Sequence, residues 1–460
     1  RRGGNTVAKK TSDGTTLSTN TDASVVLQAV VDQVDASTGT GGRIFVKPGT
    51  YAMASTVTIQ GDNTSNSPEV SLHGSGVQAT IFNPASGVNG FTISNRAKVS
   101  LRWFAIYVSG ASDGIKVTNS SIGQRGCWQS EFKNIYINGY DSTHTGWGIN
   151  AENFFRSVME NIEMNQVGNG MLLKAIDTST GYNPGDSTFT RMFIELRNRA
   201  GGSAYQIDSP STGDMNQMVF IMCEGYGGGT AQTGVLLSGA SGNVNHTHWI
   251  GINLENFDTI IDIQSGRNNV FDLNYVVTRN ATGTTYFKTS SNAYGNKISC
   301  KYMDTYTQSV VVVNDANTSI GQRNRFENIV MQGTATTLTF TRVDATYLYN
   351  IFDNVIGGNG VVENGNSSVS ANAVTINATA GFFTDTTDIT FGTSRTDITL
   401  TNKAIRSTSV VSCFMMSTPD ANAMLVASCV PIDGSCTISI RNVGAGTQTS
   451  TYTMGFIVKQ

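Results

Sequence analysis

Residues 218–258 read MVFIMCEGYGGGTAQTGVLLSGASGNVNHTHWIGINLENFD, and one short pattern occurs in them twice. An apolar residue is followed by a second three positions later, a third at five and a polar residue at six. Met218, Ile221, Cys223 and Glu224 make the first copy; Trp249, Ile252, Leu254 and Glu255 make the second. Outward from this stretch the pattern starts at Phe132, Met159, Phe189, Met218, Trp249, Phe271, Ile298, Phe326 and Phe352. The spacings are roughly 22 to 31 residues, the length of one coil in a solenoid. Apolar residues at zero, three and five cannot share a face of an unbroken strand, whose side chains alternate. A bend after the first residue resolves this, and Asn134, Asn161, Asn328 and Asn354 all stand at position two. Asn accepts left-handed backbone and bonds its own turn, which suits a coil corner. A second apolar run follows each loop, at 171–173, 235–237, 260–261 and 310–313. The chain reads as an all-β parallel solenoid.

Composition agrees. The 460 residues include 49 Gly and only 14% charged residues, which suits short strands joined by polar turns. A chain this long exceeds most compact domains, but stacked repeats escape that limit. Net charge is −3 and no basic run occurs, so nucleic acid is not an expected partner. No apolar run approaches the ~20 residues that cross a membrane as a helix, so no membrane insertion is expected. Cys127, Cys223 and Cys300 fall on or beside strands. Cys413, Cys429 and Cys436 gather near the C-terminus without metal-ligand spacing. His246 and His248 alternate but lack a third ligand, so neither metal nor cofactor is expected.

The N-terminal part holds one amphipathic helix, TDASVVLQAVVDQVDAS (21–37), with Val26, Leu27, Val30, Val31 and Val34 on one face and Thr21 or Asp22 as its cap. GGRIFVKPGTYAMASTVTI (41–59) follows, reading as strand, turn, strand. A helix here would cover the open edge of the stack. After about Glu363 the repeat fades into the polar crossover ENGNSSVSANAVTINATAG. The rest alternates like antiparallel β. The expected division is 1–60, a leading segment with its capping helix; 61–365, the solenoid with its groove; and 366–460, a β-sandwich-like domain.

TDASVVLQAVVDQVD followed by GGRIFVKPGTY resembles the start of the pectate-lyase-like right-handed parallel β-helix of bacteriophage tailspikes. DGSCTISIRNVGAGTQTSTYTMGFIVK (433–459) is similar to C-terminal ends of Acinetobacter-phage tailspike depolymerases. One departure is Thr21-Asp22, where the commonest form has two Asp before the helix. The resemblance implies a homotrimeric spike on the phage virion tail, attached to tail or baseplate through a region preceding Arg1. It also implies a bacterial capsular polysaccharide or exopolysaccharide as partner and substrate, and a C-terminal domain that trimerises or binds sugar.

Position six of the repeat reads Asn138, Asn165, Glu195, Glu224, Glu255, Val277, Asp304, Gln332 and Gly358. Coils stack ~4.8 Å apart, so this register expects three glutamates in one file, with neighbours ~5 Å apart and Glu195 ~10 Å from Glu255. Glycoside hydrolysis uses two carboxyl groups, and crowding them raises one pKa toward neutrality. Like charges have no stabilising reason to stack; equally, outward glutamates are ordinary on a strand face. The resemblance brings Asp258 forward as well, since related spike hydrolases combine Glu with Asp on nearby coils. Asp272, directly after an anchor, is the weaker candidate. The candidate catalytic residues are therefore Glu224, Glu255, Asp258 and Glu195. Aromatic faces stack on sugars, which nominates Tyr226, Tyr205 and Trp147, the last in the loop NGYDSTHTGWG with His144. His248 and Arg197 are candidate anion contacts, while Trp249 belongs to the core. GYGGGT (225–230) lacks a phosphate-cradle context and reads as a flexible loop beside Glu224.

The leading function is endo-glycoside hydrolysis of a bacterial polysaccharide. A polysaccharide lyase is the alternative; it needs a base plus a cation for the uronate, for which Arg197, His248 and Lys174 are isolated candidates. A non-catalytic glycan-binding adhesin is the third reading.

Overall fold

The computed structural model describes residues 5–36, 41–61, 68–119, 127–176, 185–209, 215–239, 244–279, 281, 284–305, 310–316, 324–333 and 338–342, then shorter stretches between 352 and 459. Two compact units are present, Arg1–Arg279 with Lys288–Asn296, and Asn280–Phe287 with Lys297–Gln460.

The first unit opens with an antiparallel hairpin, Thr6–Lys9 on Thr16–Asn20, in what the sequence suggests is merely a polar lead-in. The helix Ala23–Ala36 follows. Asp22 caps it, Oδ1 accepting from the Ser24 N–H at 2.9 Å and from the Ser24 hydroxyl at 2.6 Å. Ala23, Val26, Leu27 and Val31 are its buried face. Gln28 then behaves like a fragment of the next coil. Its Nε2 donates to the Thr58 carbonyl at 2.9 Å and its Oε1 accepts from the Thr58 N–H at 2.7 Å. Thr58 lies in Val57–Gln60, the outermost strand of its sheet, so the helix satisfies an edge that would otherwise invite pairing.

Beyond the helix every coil repeats one path. In the first sheet Glu131–Gly139, Val158–Val167, Thr188–Leu196, the pair Val219–Ile221 and Glu224–Tyr226, His248–Phe257 and Val270–Thr278 are parallel neighbours in that order. A second sheet runs through Ile115–Thr118, Trp147–Glu152, Asn169–Lys174, Ser203–Ser209, Thr233–Gly239 and Thr259–Ile263. Met215–Asn216, Val244–Asn245, Gly266–Arg267 and Ala293–Tyr294 form a short third. This is a parallel β-solenoid.

Its register is written in the backbone. Trp103, Asn134, Asn161, Arg191, Met222 and Gly251 all have positive φ, from 51° to 69°, and each stands two residues after a coil's anchor. The bend expected there is present, and Asn161 Nδ2 donates to Asn134 Oδ1 at 2.6 Å. A second left-handed column, Gln129, Arg156, Asp186, Gln217, His246 and Asn268, precedes each anchor by three.

These columns correct one anchor. Phe189 pairs with Phe220, and Phe220 with Trp249; Met218 is two residues early. It occupies the position where neighbouring coils carry Ser130, Ser157, Ser187, Thr247 and Asn269, a buried polar ladder. Along it the Ser130 N–H donates to Ser157 Oγ at 2.9 Å and the Thr247 N–H to Asn269 Oδ1 at 2.9 Å. Phe220 instead stacks between Phe189 and Trp249, at 4.5 and 3.7 Å between ring centroids and 12° and 2° between planes. Trp249 is fully buried, as its anchor position requires. Each such ring contributes on the order of 1.5–3 kcal/mol by burial.

Within the second unit Lys297–Thr305 pairs with Arg325–Gly333, and that strand with Phe352–Asp353, placing Ile298 on Phe326 and Phe326 on Phe352. Ser394–Thr401, Ser435–Asn442 and Leu425–Ile432 are antiparallel neighbours, with Ala373–Thr375 parallel to the first. Tyr452–Lys459 lies antiparallel between Ala380–Asp385 and Val410–Met415. Gly358 and the 365/366 boundary lie outside the described residues.

Candidate active site

The bend at position two breaks each coil's outer surface into two facets. On the first, before and at the bend, carboxylates are matched by cations. Glu131 pairs with Arg102 and Lys133, and Glu160 with Lys133, at 3.1 Å, and with Arg191. The second facet presents two outward files along the stack. Tyr136, Glu163, Phe193, Glu224, Asn253 and Tyr275 form the file at position four. Tyr107, Asn138, Asn165, Glu195, Tyr226 and Glu255 form the file at position six. Glu163, Glu195, Glu224 and Glu255 make no ion pair among the described residues.

Because the anchor is Phe220, the file expected to hold three consecutive glutamates does not. Tyr226, not Glu224, lies between Glu195 and Glu255, separating them by ~10 Å at ~4.8 Å per coil. Glu224 sits one file over, between Phe193 and Asn253, and its Oε1 accepts from Asn253 Nδ2 at 3.3 Å. Glu224 and Glu255 are thus diagonal neighbours, one coil apart and two residues offset. At ~4.8 Å per coil and ~3.3 Å per residue their backbones are roughly 8 Å apart. Glu224 is exposed and Glu255 half-buried. Burial first, and then the Glu224 charge, raise the Glu255 carboxyl above the usual range. The pair sets a half-buried carboxyl with a raised pKa beside an exposed glutamate. Glu195 accepts from Gln166 Nε2 one coil back.

The backbone of Glu224 is held from inside. Gly225 and Cys223 occupy inward positions of this coil, and the Tyr205 ring packs inside it from the second sheet, 5.7 Å from the Trp249 ring centroid. A Cβ on Gly225 would meet a Leu254 methyl at 2.9 Å. Tyr205 is fully buried and donates to the Glu224 carbonyl at 2.7 Å. It cannot stack on a sugar, contrary to the sequence expectation; its hydroxyl instead anchors the Glu224 backbone. Tyr226, 41% exposed, is available.

Asp258 is already engaged. Its Oδ1 accepts from Arg279 Nε at 2.7 Å and its Oδ2 from the Ala231 N–H. Together with Gln232 it pins the glycine loop, which is not the free segment its composition suggests. Gln232 Oε1 accepts from the Gly228 and Gly229 N–H groups, both at 2.8 Å, and its Nε2 donates to the Arg197 carbonyl at 2.7 Å. A Cβ at Gly229 would lie 1.8 Å from the Arg199 carbonyl oxygen, so only glycine fits. Arg197 is likewise spent on carbonyls, donating to Gly139 at 2.6 Å and Gln166 at 3.3 Å. It clamps coils rather than offering a free cation.

Trp147 is half-buried at the start of a second-sheet strand, beside Asn169, away from both files. His144, buried in the same loop, accepts from the Gly168 N–H at Nδ1 and bonds the Ser112 carbonyl through Nε2, both at 2.9 Å. Burial depresses its pKa. His248 is exposed on the first facet, on the far side of the Gly251 bend from Glu255. Lys174 is on the second sheet. Asp272 neighbours Ile250 on the first facet.

Residues that sequence reasoning missed lie mainly at position four. Glu163 is exposed there, and Tyr136 stands close enough for the Glu163 charge, after burial, to raise its pKa. Tyr107 has its ring centroid 6.2 Å from that of Tyr136 and 6.4 Å from that of exposed Tyr140. Reading position four as well as six would have found most of them. Among the described residues no group of three His, Cys, Asp or Glu side chains suits a metal.

No protein-family model matches the chain, and no curated protein does. Among solved structures it is similar to phage tailspikes. The tailspike protein of Escherichia coli bacteriophage HK620, in complex with a pentasaccharide, is 12% identical over 96% of this chain and 90% of that one, with a TM-score of 0.42. Geobacillus virus E2 ORF18 is 13% identical over 91% and 72%, at 0.43. A mannuronan C-5 epimerase A-module from Azotobacter vinelandii is 14% identical over 75% and 95%, at 0.44. At these scores the likenesses carry no argument about the site, and the fold rests on the strand register.

Proposed function

We propose that the two-file facet binds a bacterial polysaccharide and cleaves it by endo-glycoside hydrolysis, with Glu255 as general acid and Glu224 as general base. One observation carries this reading. Glu131 and Glu160 on the first facet are neutralised by Arg and Lys, whereas Glu163, Glu195, Glu224 and Glu255 on the second make no ion pair among the described residues and are interleaved with Tyr and Phe. Uncompensated carboxylates cost stability, and aromatic faces suit sugar rings. The two backbones are roughly 8 Å apart on the diagonal, and carboxyl groups extended from them to ~6.5–9.5 Å would leave room for a water between them. Glu255 gives its proton to the glycosidic oxygen as that bond breaks. Glu224 takes a proton from the water that attacks the anomeric carbon from the opposite face. Tyr226 stacks beneath a sugar between them, and Glu195 contacts substrate one coil along. A lyase would need a cation beside the base; Arg197 is bonded to carbonyls, and His248 and Lys174 belong to other faces.

The sequence resemblance extends the proposal. The substrate is a host capsular polysaccharide or exopolysaccharide, and the protein is a homotrimeric receptor-binding spike on a phage tail. Incubating it with a panel of purified bacterial polysaccharides tests this. Hydrolysis yields oligosaccharides heavier by one water per cut and without an ultraviolet band. Glu224→Gln and Glu255→Gln should each lower cleavage roughly 10²- to 10⁴-fold while glycan binding persists. Products carrying a new double bond would replace hydrolysis with elimination; binding without cleavage would make the protein an adhesin; full activity in both variants would remove the pair from the chemistry.

A further inference from the structure

Three cysteines separated in sequence converge inside the second unit. Val410–Met415 is the outermost strand of one sheet and Leu425–Ile432 the outermost strand of the other. Cys413 in the first and Cys429 in the second face each other, Sγ to Sγ 2.6 Å. Cys436, fully buried in the neighbouring strand Ser435–Asn442, is the third, close enough to Cys429 to help lower its pKa. Cys413 and Cys429 are half-exposed, so a small oxidant reaches them. The other cysteines, Cys127, Cys223 and Cys300, are each buried. Burial pushes the thiols of Cys127 and Cys223 up to about 12, where no thiolate forms.

We propose that Cys413 and Cys429 form a redox site, a thiol pair whose oxidation by a small disulfide cross-links the edge strands of the two C-terminal sheets. Contacts with Cys413 and Cys436 lower the pKa of Cys429, which favours it as the attacking sulfur of the half-exposed pair. With oxidised glutathione the Cys429 thiolate attacks one sulfur and releases a glutathione thiolate. The Cys413 sulfur, giving up its proton, then attacks Cys429 in the mixed disulfide and releases the second. Two protein thiols are oxidised and one glutathione disulfide is reduced to two thiols. The product joins strands that share no backbone ladder, which restrains both sheet edges.

Peptide mapping of the intact chain tests this, after incubation with oxidised glutathione and blocking of the remaining thiols. The expected result is a cross-linked Cys413–Cys429 peptide that disappears on reduction, a protein lighter by two hydrogens, and a melting midpoint several degrees higher than in the reduced protein. Cys436→Ser should retain that peptide, and Cys429→Ser should lose it together with the rise in melting. Persistence of all six free cysteines, or a bond from Cys429 to Cys436 in its place, overturns the proposal. Wild-type mapping alone decides between these results if a serine variant fails to fold.

Discussion

The Tyr205 hydroxyl reaches the Glu224 carbonyl at 2.7 Å from inside the coil, so the residue that fixes this glutamate belongs to the hydrophobic core. Tyr205 also lies 3.1 Å from the Met192 carbonyl, linking two consecutive coils. Removing the hydroxyl in Tyr205→Phe leaves the Glu224 carbonyl without that donor at about 1–3 kcal/mol. The expected outcome is a lower melting temperature and a kcat reduced several-fold with KM little changed. A Phe variant with full kcat would show that the hydroxyl does not position the site.

Glu255 predicts the direction of the pH profile. Its carboxyl is raised above the ordinary value, by burial and then by the Glu224 charge, so the protonated acid persists to higher pH than in a free glutamate. Cleavage should fall as pH rises through that raised pKa. The sign for stability is the same: the folded state favours the protonated form, so stability declines as pH rises from the unfolded to the folded pKa. Carboxyl-carbon NMR titration should show Glu255 moving back toward the usual range in Glu224→Gln, because the repelling charge is gone.

Asp258 should behave as scaffold. Its bonds to Arg279 and the Ala231 N–H hold the glycine loop. Asp258→Ala should therefore cost about 1–3 kcal/mol in denaturant unfolding, with the pH profile of cleavage unchanged. A variant that keeps its stability but loses the chemical step would restore Asp258 to the catalytic set.

Tyr226 stands between Glu195 and Glu255 with 41% of its surface exposed. Tyr226→Ala should weaken glycan binding by about 0.5–1.5 kcal/mol, the scale of an aromatic stack, raising KM more than it lowers kcat. Titration calorimetry with an uncleaved oligosaccharide on Glu224→Gln and on the double variant separates the two effects.

The solenoid was legible because its cause is local and repeated. Anchors at Phe132, Met159, Phe189, Trp249 and Phe271, with Asn134 and Asn161 at the bend, state a coil period and a left-handed corner that neighbouring coils must share. The capping helix was equally plain, from Asp22 and its apolar face. The register of one coil was not. Met218 is apolar where its neighbours are Ser or Thr, and Gly225 is small where they are Ile or Leu, so a two-residue slip satisfied the pattern equally well. Such a slip preserves the inside-outside alternation of a strand, and nothing local penalises it.

Sequence alone thus determined the period, the bends and a glutamate-rich outer face, since each follows from backbone preference and side-chain alternation repeated along the chain. Tertiary structure decided which side chains are free. Tyr205 and Tyr226 are the same residue type, yet one is buried inside the coil with its hydroxyl on the Glu224 carbonyl and the other faces solvent. Asp258 and Arg197 are charged in any reading; partners brought together by stacking hold them. The Glu224–Glu255 pair exists as a diagonal because Phe220, stacked between Phe189 and Trp249, sets where its coil begins.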